Sequence, residues 1–203
     1  MITTLNTDDG EQLEAEWAYA DDPRAVVVLC HPHPNRGGTM RSIVTSAQFD
    51  ALPRQGFSCL RFNFRGVEGS TGTYTGGENE RRDVLAAIAA AAEPGLPIVL
   101  SGWSFGADIA LGIADSRVRG WVAIAPPLRF LPAAEFDTVA HDERAKLLIL
   151  AAQDEFRAPA EIEQETHDWI NTRVDIVAGA SHFFVGRTDR AVELTAAFAA
   201  DCR

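Results

Sequence analysis

Pro97-Ile98-Val99-Leu100-Ser101-Gly102-Trp103-Ser104-Phe105-Gly106-Ala107 decides how this chain is read. A strand-like apolar run, Pro97 to Ser101, enters Gly102-Trp103-Ser104-Phe105-Gly106, and a helix-like run continues from Phe105 to Asp115. Glycines two before and two after a serine permit a turn so sharp that the central residue projects from the end of a sheet. A serine hydroxyl is a weak nucleophile at neutral pH and needs such exposure, a base beside it, and backbone N–H groups aimed at the developing charge. Ser104 is therefore the candidate nucleophile. Composition alone yields Gly-x-Ser-x-Gly about 0.05 times in a chain of this make-up, so the strand-before, helix-after setting carries the signal.

Working outward, the same punctuation repeats. Ile2 to Asn6 and Leu13 to Tyr19 read as a hairpin around Asp8-Asp9-Gly10. Ala25 to Cys30 is continuously apolar, as expected of a strand with helices on both faces, and the pattern recurs at Phe57–Phe62, Gly120–Ala125, Lys146–Ala151 and Arg173–Val177. Helix-length segments fall between them at Ser42–Gln55, Glu78–Ala92, Ser104–Ala114, Ala158–Asn171 and Thr188–Ala200. Alternating strands and helices predict a mainly parallel α/β sheet with functional groups in loops at the carboxyl ends of the strands. Pro126 to His141 reads as an irregular excursion over the site. Residues 1–203 are expected to form one domain.

Composition narrows the function classes. With 46% hydrophobic and 23% charged residues the chain is an ordinary globular one, and a formal net charge of −11 opposes nucleic-acid or anionic-membrane partners. Met1 to Gly10 is polar and acidic, unlike a secretory signal, and no apolar run is long enough to span a bilayer. The expectation is a cytoplasmic protein, a monomer or small homo-oligomer, with a small-molecule acyl substrate as its partner. Cys30, Cys59 and Cys202 suit neither a zinc site nor a Cys-x-x-Cys motif and read as free, mostly buried thiols. His31-Pro32-His33-Pro34 has no third ligand at a fitting spacing, so no metal is expected.

Ser104 needs a base. His182 follows an apolar run through Ala178-Gly179-Ala180-Ser181 and so occupies a loop past a strand end, whereas His167 lies in a charged helical segment and His141 in the excursion. The base needs an acid to fix its tautomer. Asp154 follows Leu147–Ala152 and is the choice; Glu155, adjacent, and Asp175, within a strand-like run, are the alternatives. The oxyanion hole should use the backbone N–H of Phe105, at the positive end of a helix, and one from the loop after Ala25–Cys30. Prolines carry no N–H, which leaves His33 as the donor there. The side chains of His31 and His33 read as loop-shaping hydrogen-bond partners rather than proton carriers.

Taken together these residues resemble the α/β-hydrolase superfamily, in particular small, cap-less bacterial serine hydrolases related to dienelactone hydrolases and the prolyl-oligopeptidase-like group. The matching blocks are His31-Pro32-His33-Pro34 with Gly37-Gly38-Thr39-Met40, Arg61-Phe62-Asn63-Phe64-Arg65-Gly66 with Gly69-Ser70 and Gly72, Gly102 to Gly106, Asp154-Glu155-Phe156, and Gly179 to Phe184. The order Ser104, Asp154, His182 is that superfamily's nucleophile-acid-base order. The resemblance implies an α/β-hydrolase fold with an eight-stranded, mostly parallel sheet, a Ser104-His182-Asp154 triad, and hydrolysis of an ester or similar acyl bond without a cofactor. Dienelactone hydrolases use cysteine where this chain has Ser104, so their particular substrate is not implied.

Only about twenty residues separate Ala125 from Lys146, too few for a substantial lid. Selectivity should then rest on loop residues such as Arg36, Met40, Val67, Trp103, Leu128 and Phe183. Thioesters, amides and small peptides are alternative substrates for the same triad. A non-catalytic binding protein on the same fold is the rival from another class.

Overall fold

The computed structural model describes residues 1–92 and 94–202. Its strands are β1 (Ile2–Asn6), β2 (Gln12–Ala18), β3 (Ala25–Cys30), β4 (Phe57–Phe62), β5 (Ile98–Trp103), β6 (Val118–Ile124), β7 (Ala145–Gln153) and β8 (Thr172–Ser181). Its α-helices are α1 (Ile43–Ala51), α2 (Glu80–Ala92), α3 (Phe105–Leu111), α4 (Ala133–Ala140), α5 (Pro159–Glu165) and α6 (Thr188–Asp201). The strands form one eight-stranded sheet in the order β1-β2-β4-β3-β5-β6-β7-β8. The β1–β2 and β2–β4 pairings are antiparallel and every other pairing is parallel.

The continuous apolar runs are explained by cover on both faces. All six residues of β3 are buried. Val26, Val28 and Cys30 enter a core shared with α2 and α3, while Ala25, Val27 and Leu29 enter a second core shared with α1 and α6. Side chains still alternate with period two, but both sides are apolar, so the sequence shows no alternation. Helix α3 is buried along its whole length.

The chain runs from β3 to β4 in one direction across the sheet and then returns to lay β5 on the other side of β3. The crevice at such a reversal, beyond the carboxyl ends of the strands, is where open α/β sheets place their ligands. Here it brings the loop after β3 against the turn after β5.

Three elements differ from the sequence-based expectation. The excursion from Pro126 to His141 contains a regular helix, α4, starting after Pro132. The segment expected to be helical from Ala158 to Asn171 ends as a helix at Glu165. There the Thr166 hydroxyl donates to the Ile162 carbonyl at 2.8 Å, and the Ile170 N–H donates to the Ala140 carbonyl at 2.8 Å, tying the chain to the end of α4. Strand β8 runs on to Ser181, with a shift in its register against β7 between Ala151 and Gln153. That extension carries the next residue, His182, to the rim of the sheet. Among the described residues no helix is long and apolar enough to cross a membrane.

Candidate active site

Ser104 sits between β5 and α3 with φ 54° and ψ −120°, a backbone conformation that side-chain-bearing residues adopt only under constraint. The constraint is visible. The Ser104 N–H donates to the Ile124 carbonyl at 2.8 Å, and the Ser104 carbonyl accepts from Ala107 N–H at 2.9 Å and Asp108 N–H at 3.2 Å. A Cβ on Gly102 would lie 2.2 Å from the Gly106 carbonyl oxygen, and a Cβ on Gly106 would lie 2.4 Å from the carbonyl oxygens of Cys30 and His31. The two glycines therefore let the turn close on itself and let α3 press against the end of β3.

The Ser104 hydroxyl stands 2.9 Å from His182 Nε2, and His182 Nδ1 stands 2.9 Å from Asp154 Oδ2. With the Nδ1 proton donated to the carboxylate, the Nε2 lone pair faces the hydroxyl, as general-base chemistry requires. Both members of the His182–Asp154 pair are buried. Asp154 Oδ1 also accepts the N–H groups of Phe156 at 2.9 Å and Arg157 at 3.1 Å. Burial works to raise the Asp154 carboxyl, but the hydrogen bond from His182 and these two backbone N–H groups outweigh it and hold the group below the usual carboxylate range. The imidazole is positioned from its backbone as well: its N–H donates to Glu155 Oε2 at 2.9 Å and its carbonyl accepts Trp103 Nε1–H at 3.0 Å. Glu155 thus holds the loop rather than the ring. Asp175 pairs instead with Arg173 at 2.8 Å on β8.

The loop after β3 is drawn tight. The Arg36 and Gly38 N–H groups both donate to the His33 carbonyl, at 3.0 and 3.1 Å. Among the described residues neither the His33 N–H nor the Phe105 N–H finds a protein acceptor, and an orphaned N–H beside a nucleophile is what an oxyanion site needs. His31 is fully buried, donates from Nδ1 to the Pro32 carbonyl at 2.6 Å and accepts the Phe64 N–H on Nε2 at 3.0 Å. Burial holds it neutral, with its pKa down to about 3 despite the opposing pull of the Pro32 carbonyl. His33 accepts the Asn35 N–H on Nδ1 at 3.2 Å and meets the Tyr74 hydroxyl through Nε2 at 3.2 Å. Both side chains shape the loop. His141 and His167 are exposed and bond only to carbonyls of Asp137 and Gln164 near their own helices.

A cleft of about 710 Å³ opens over Ser104. Arg36, Trp103 and Phe183 line it, together with Pro32, Arg129, Phe130 and Phe156. Met40, Val67 and Leu128, expected against the substrate, do not line it and are buried. Val67 and Leu128 turn into the core, and the Met40 N–H is fixed by Asn63 Oδ1 at 2.8 Å. Apolar side chains in loops beside the nucleophile turn follow burial rather than the cleft.

Sequence reasoning missed Arg129, Phe130 and Phe156. The last lies two residues after Asp154 and was within reach of a loop argument. Arg129 and Phe130 reach the cleft through Asp108, a buried carboxylate whose oxygens accept the N–H groups of Leu128 at 2.9 Å, Arg129 at 2.8 Å and Phe130 at 3.0 Å. An aspartate inside the otherwise apolar run of α3 was the available signal. Among the described residues no group of three His, Cys, Asp or Glu side chains is placed to hold a metal ion. All three cysteines are buried and free, and burial pushes the Cys202 thiol up to about 11.

Comparison with known proteins agrees with this fold. The model of the alpha/beta hydrolase family matches residues 27–197. An uncharacterized protein of Rickettsia prowazekii is 29% identical over 192 residues, which cover 88% of this chain and 80% of that protein. An alpha-beta serine hydrolase homologue from Coxiella burnetii has a similar structure, with TM-score 0.84 and 30% identity over 97% of this chain and 96% of that one. A serine hydrolase without a lid from Xanthomonas campestris gives TM-score 0.84 and 25% identity over 98% of this chain and 92% of that one.

Proposed function

Because this chain belongs to the alpha/beta hydrolase family, we propose that it is a cap-less serine hydrolase that cleaves small ester or related acyl substrates through Ser104, His182 and Asp154. The observation that carries the reading is the unbroken chain from the Ser104 hydroxyl through both His182 nitrogens to Asp154, each link at 2.9 Å. Ser104 Oγ attacks the substrate carbonyl carbon as its proton passes to His182 Nε2. The carbonyl oxygen becomes an oxyanion facing the N–H groups of His33 and Phe105. On collapse the bond to the leaving group breaks and the leaving oxygen takes the proton from Nε2, giving an acyl-enzyme on Ser104. Water then repeats the sequence, giving its proton to Nε2 and releasing the acid as Ser104 Oγ recovers a proton. Asp154 holds the imidazole throughout and stabilises its charged form. Losing one oxyanion donor should cost about 3 kcal/mol of transition-state stabilisation.

The chemistry needs no cofactor, and the substrate is a small molecule that reaches an open cleft. Thioesters, amides and small peptides present the same electrophilic carbonyl, and a matched substrate panel ranks them. The test of the reading is Ser104→Ala. Hydrolysis of short p-nitrophenyl esters should be abolished with the thermal melt nearly unchanged; full activity in that variant would refute the assignment.

A further inference from the structure

The cleft has two unlike walls. Around His182 stand Trp103, Phe156 and Phe183, with ring centroids 6.2, 4.6 and 5.6 Å from the imidazole. His33 and Phe130 line the other side, their ring centroids 5.0 Å apart, with Tyr74 and Phe105 packed against His33 at 5.1 and 5.4 Å. This second wall also carries Arg36 and Arg129, both lining the cleft. Their charge reaches His33: burial first, and then these two guanidiniums, hold its imidazole below the ordinary histidine range.

In a chain with 29 acidic and 18 basic residues, the cleft lining includes two arginines and no aspartate or glutamate. Among the described residues neither guanidinium makes a hydrogen bond or a close ion pair, the buried Asp108 being the carboxylate that feels the Arg129 charge, although arginines elsewhere do, as Arg61 with Glu16 at 2.6 Å and Arg65 with Asp83 at 2.7 Å. Arg129 is presented by a rigid frame. The buried Asp108 directs its carboxylate to the backbone of residues 128–130, leaving the guanidinium over the Phe130 ring at 5.3 Å. Arg36 closes the short helical turn Pro34–Arg36, fixed by its N–H to the His33 carbonyl at 3.0 Å. Two unpaired guanidiniums on a preformed wall are an anion-binding arrangement.

The proposed chemistry assigns a direction to each part of the substrate. His182 must hand its proton to the leaving oxygen, so the leaving group lies along the wall of Trp103, Phe156 and Phe183. The carbonyl oxygen faces the N–H groups of His33 and Phe105, and the acyl chain takes the remaining direction, toward Arg36 and Arg129. We propose that the acyl part of the substrate carries a carboxylate or another anionic group bound by Arg36 and Arg129, while an apolar alcohol leaves along the aromatic wall. This rests on the serine-hydrolase reading. The substrate class is the monoester of a dicarboxylic acid or a close anionic analogue.

The test compares p-nitrophenyl hydrogen adipate with p-nitrophenyl methyl adipate, which differ only in the distal charge. After subtraction of the uncatalysed rate, wild-type kcat/KM should be about tenfold higher for the anionic ester at low salt, and the ratio should shrink in 0.5 M NaCl. In Arg36→Gln, in Arg129→Gln and in the double variant the ratio should fall toward one or below; the two single variants serve if the double variant does not fold. A wild-type preference for the methyl ester, or a ratio unmoved by these substitutions, overturns the subsite and leaves the serine-hydrolase reading intact. Hydrolysis of neither ester while Ser104 still reacts with a fluorophosphonate also overturns the subsite. Hydrolysis of neither with Ser104 inert overturns the reading beneath it.

Discussion

The backbones of Gly102 and Gly106 approach so closely that a Cβ on Gly102 would lie 2.2 Å from the Gly106 carbonyl oxygen. This contact, rather than the serine itself, creates the turn at Ser104, because it brings the start of α3 back over the end of β5 and forces Ser104 to φ 54°. Gly102→Ala should therefore destabilise the protein by at least about 3 kcal/mol, at the upper end of overpacking costs, because the clash is with backbone that cannot rotate away. Urea denaturation of the purified variant measures it. A loss below 1 kcal/mol with full esterase activity would show that the turn can relax.

A second prediction concerns the block Arg61 to Gly66. Arg65 and Asp83 form a buried pair at 2.7 Å, and Asp83 also accepts the Arg65 backbone N–H at 2.9 Å. Burial is the larger influence on Asp83 and lifts its carboxyl to about 6 against the pull of Arg65. Arg65→Met removes the partner and strands the carboxylate, which should cost on the order of 3–5 kcal/mol. Arg65→Met with Asp83→Asn should recover part of that loss. Equal stability of the single and double variants, read by denaturant midpoint, would contradict the pairing.

His31 makes stability depend on pH in a definite direction. Its pKa is about 3 in the folded chain and ~6.5 when unfolded. Between these values the unfolded state binds a proton that the folded state refuses, so stability is lost as pH falls from about 6.5 toward 3. From pH 7 to pH 5 this site should remove about 2 kcal/mol. His31→Gln should be less stable at pH 7 but flatter across that interval. Parallel wild-type and variant profiles from denaturant titrations would remove His31 as the cause.

Much of the architecture was legible because the strands are buried on both faces: β3, β4 and β5 are each buried throughout, and continuous apolar runs report that directly. The placing of Ser104, Asp154 and His182 at one rim follows from the same reasoning, since one to four residues separate each from the end of a strand run. Helix α4 was not legible, because Pro126, Pro127 and Pro132 punctuate the segment and its short helix begins only after the last of them. The shortening of α5 depends on a tertiary bond from Ile170 to Ala140, which no local pattern encodes. The cleft wall was read poorly for the same reason. Met40, Val67 and Leu128 lie in loops at the site yet turn inward, while Arg129 and Phe130 are brought to the cleft by Asp108 from a different element. Loop position alone does not say which way a side chain points.

The central claim is that His182 activates Ser104, and its most direct measurement is covalent labelling by a fluorophosphonate, read by intact mass and peptide mapping. Wild-type protein should take up one probe on Ser104. His182→Asn should label more slowly by on the order of 10³-fold or more, because the hydroxyl loses its base. Labelling of wild type and His182→Asn at the same rate, or a probe mapped to a residue other than Ser104, would contradict the account.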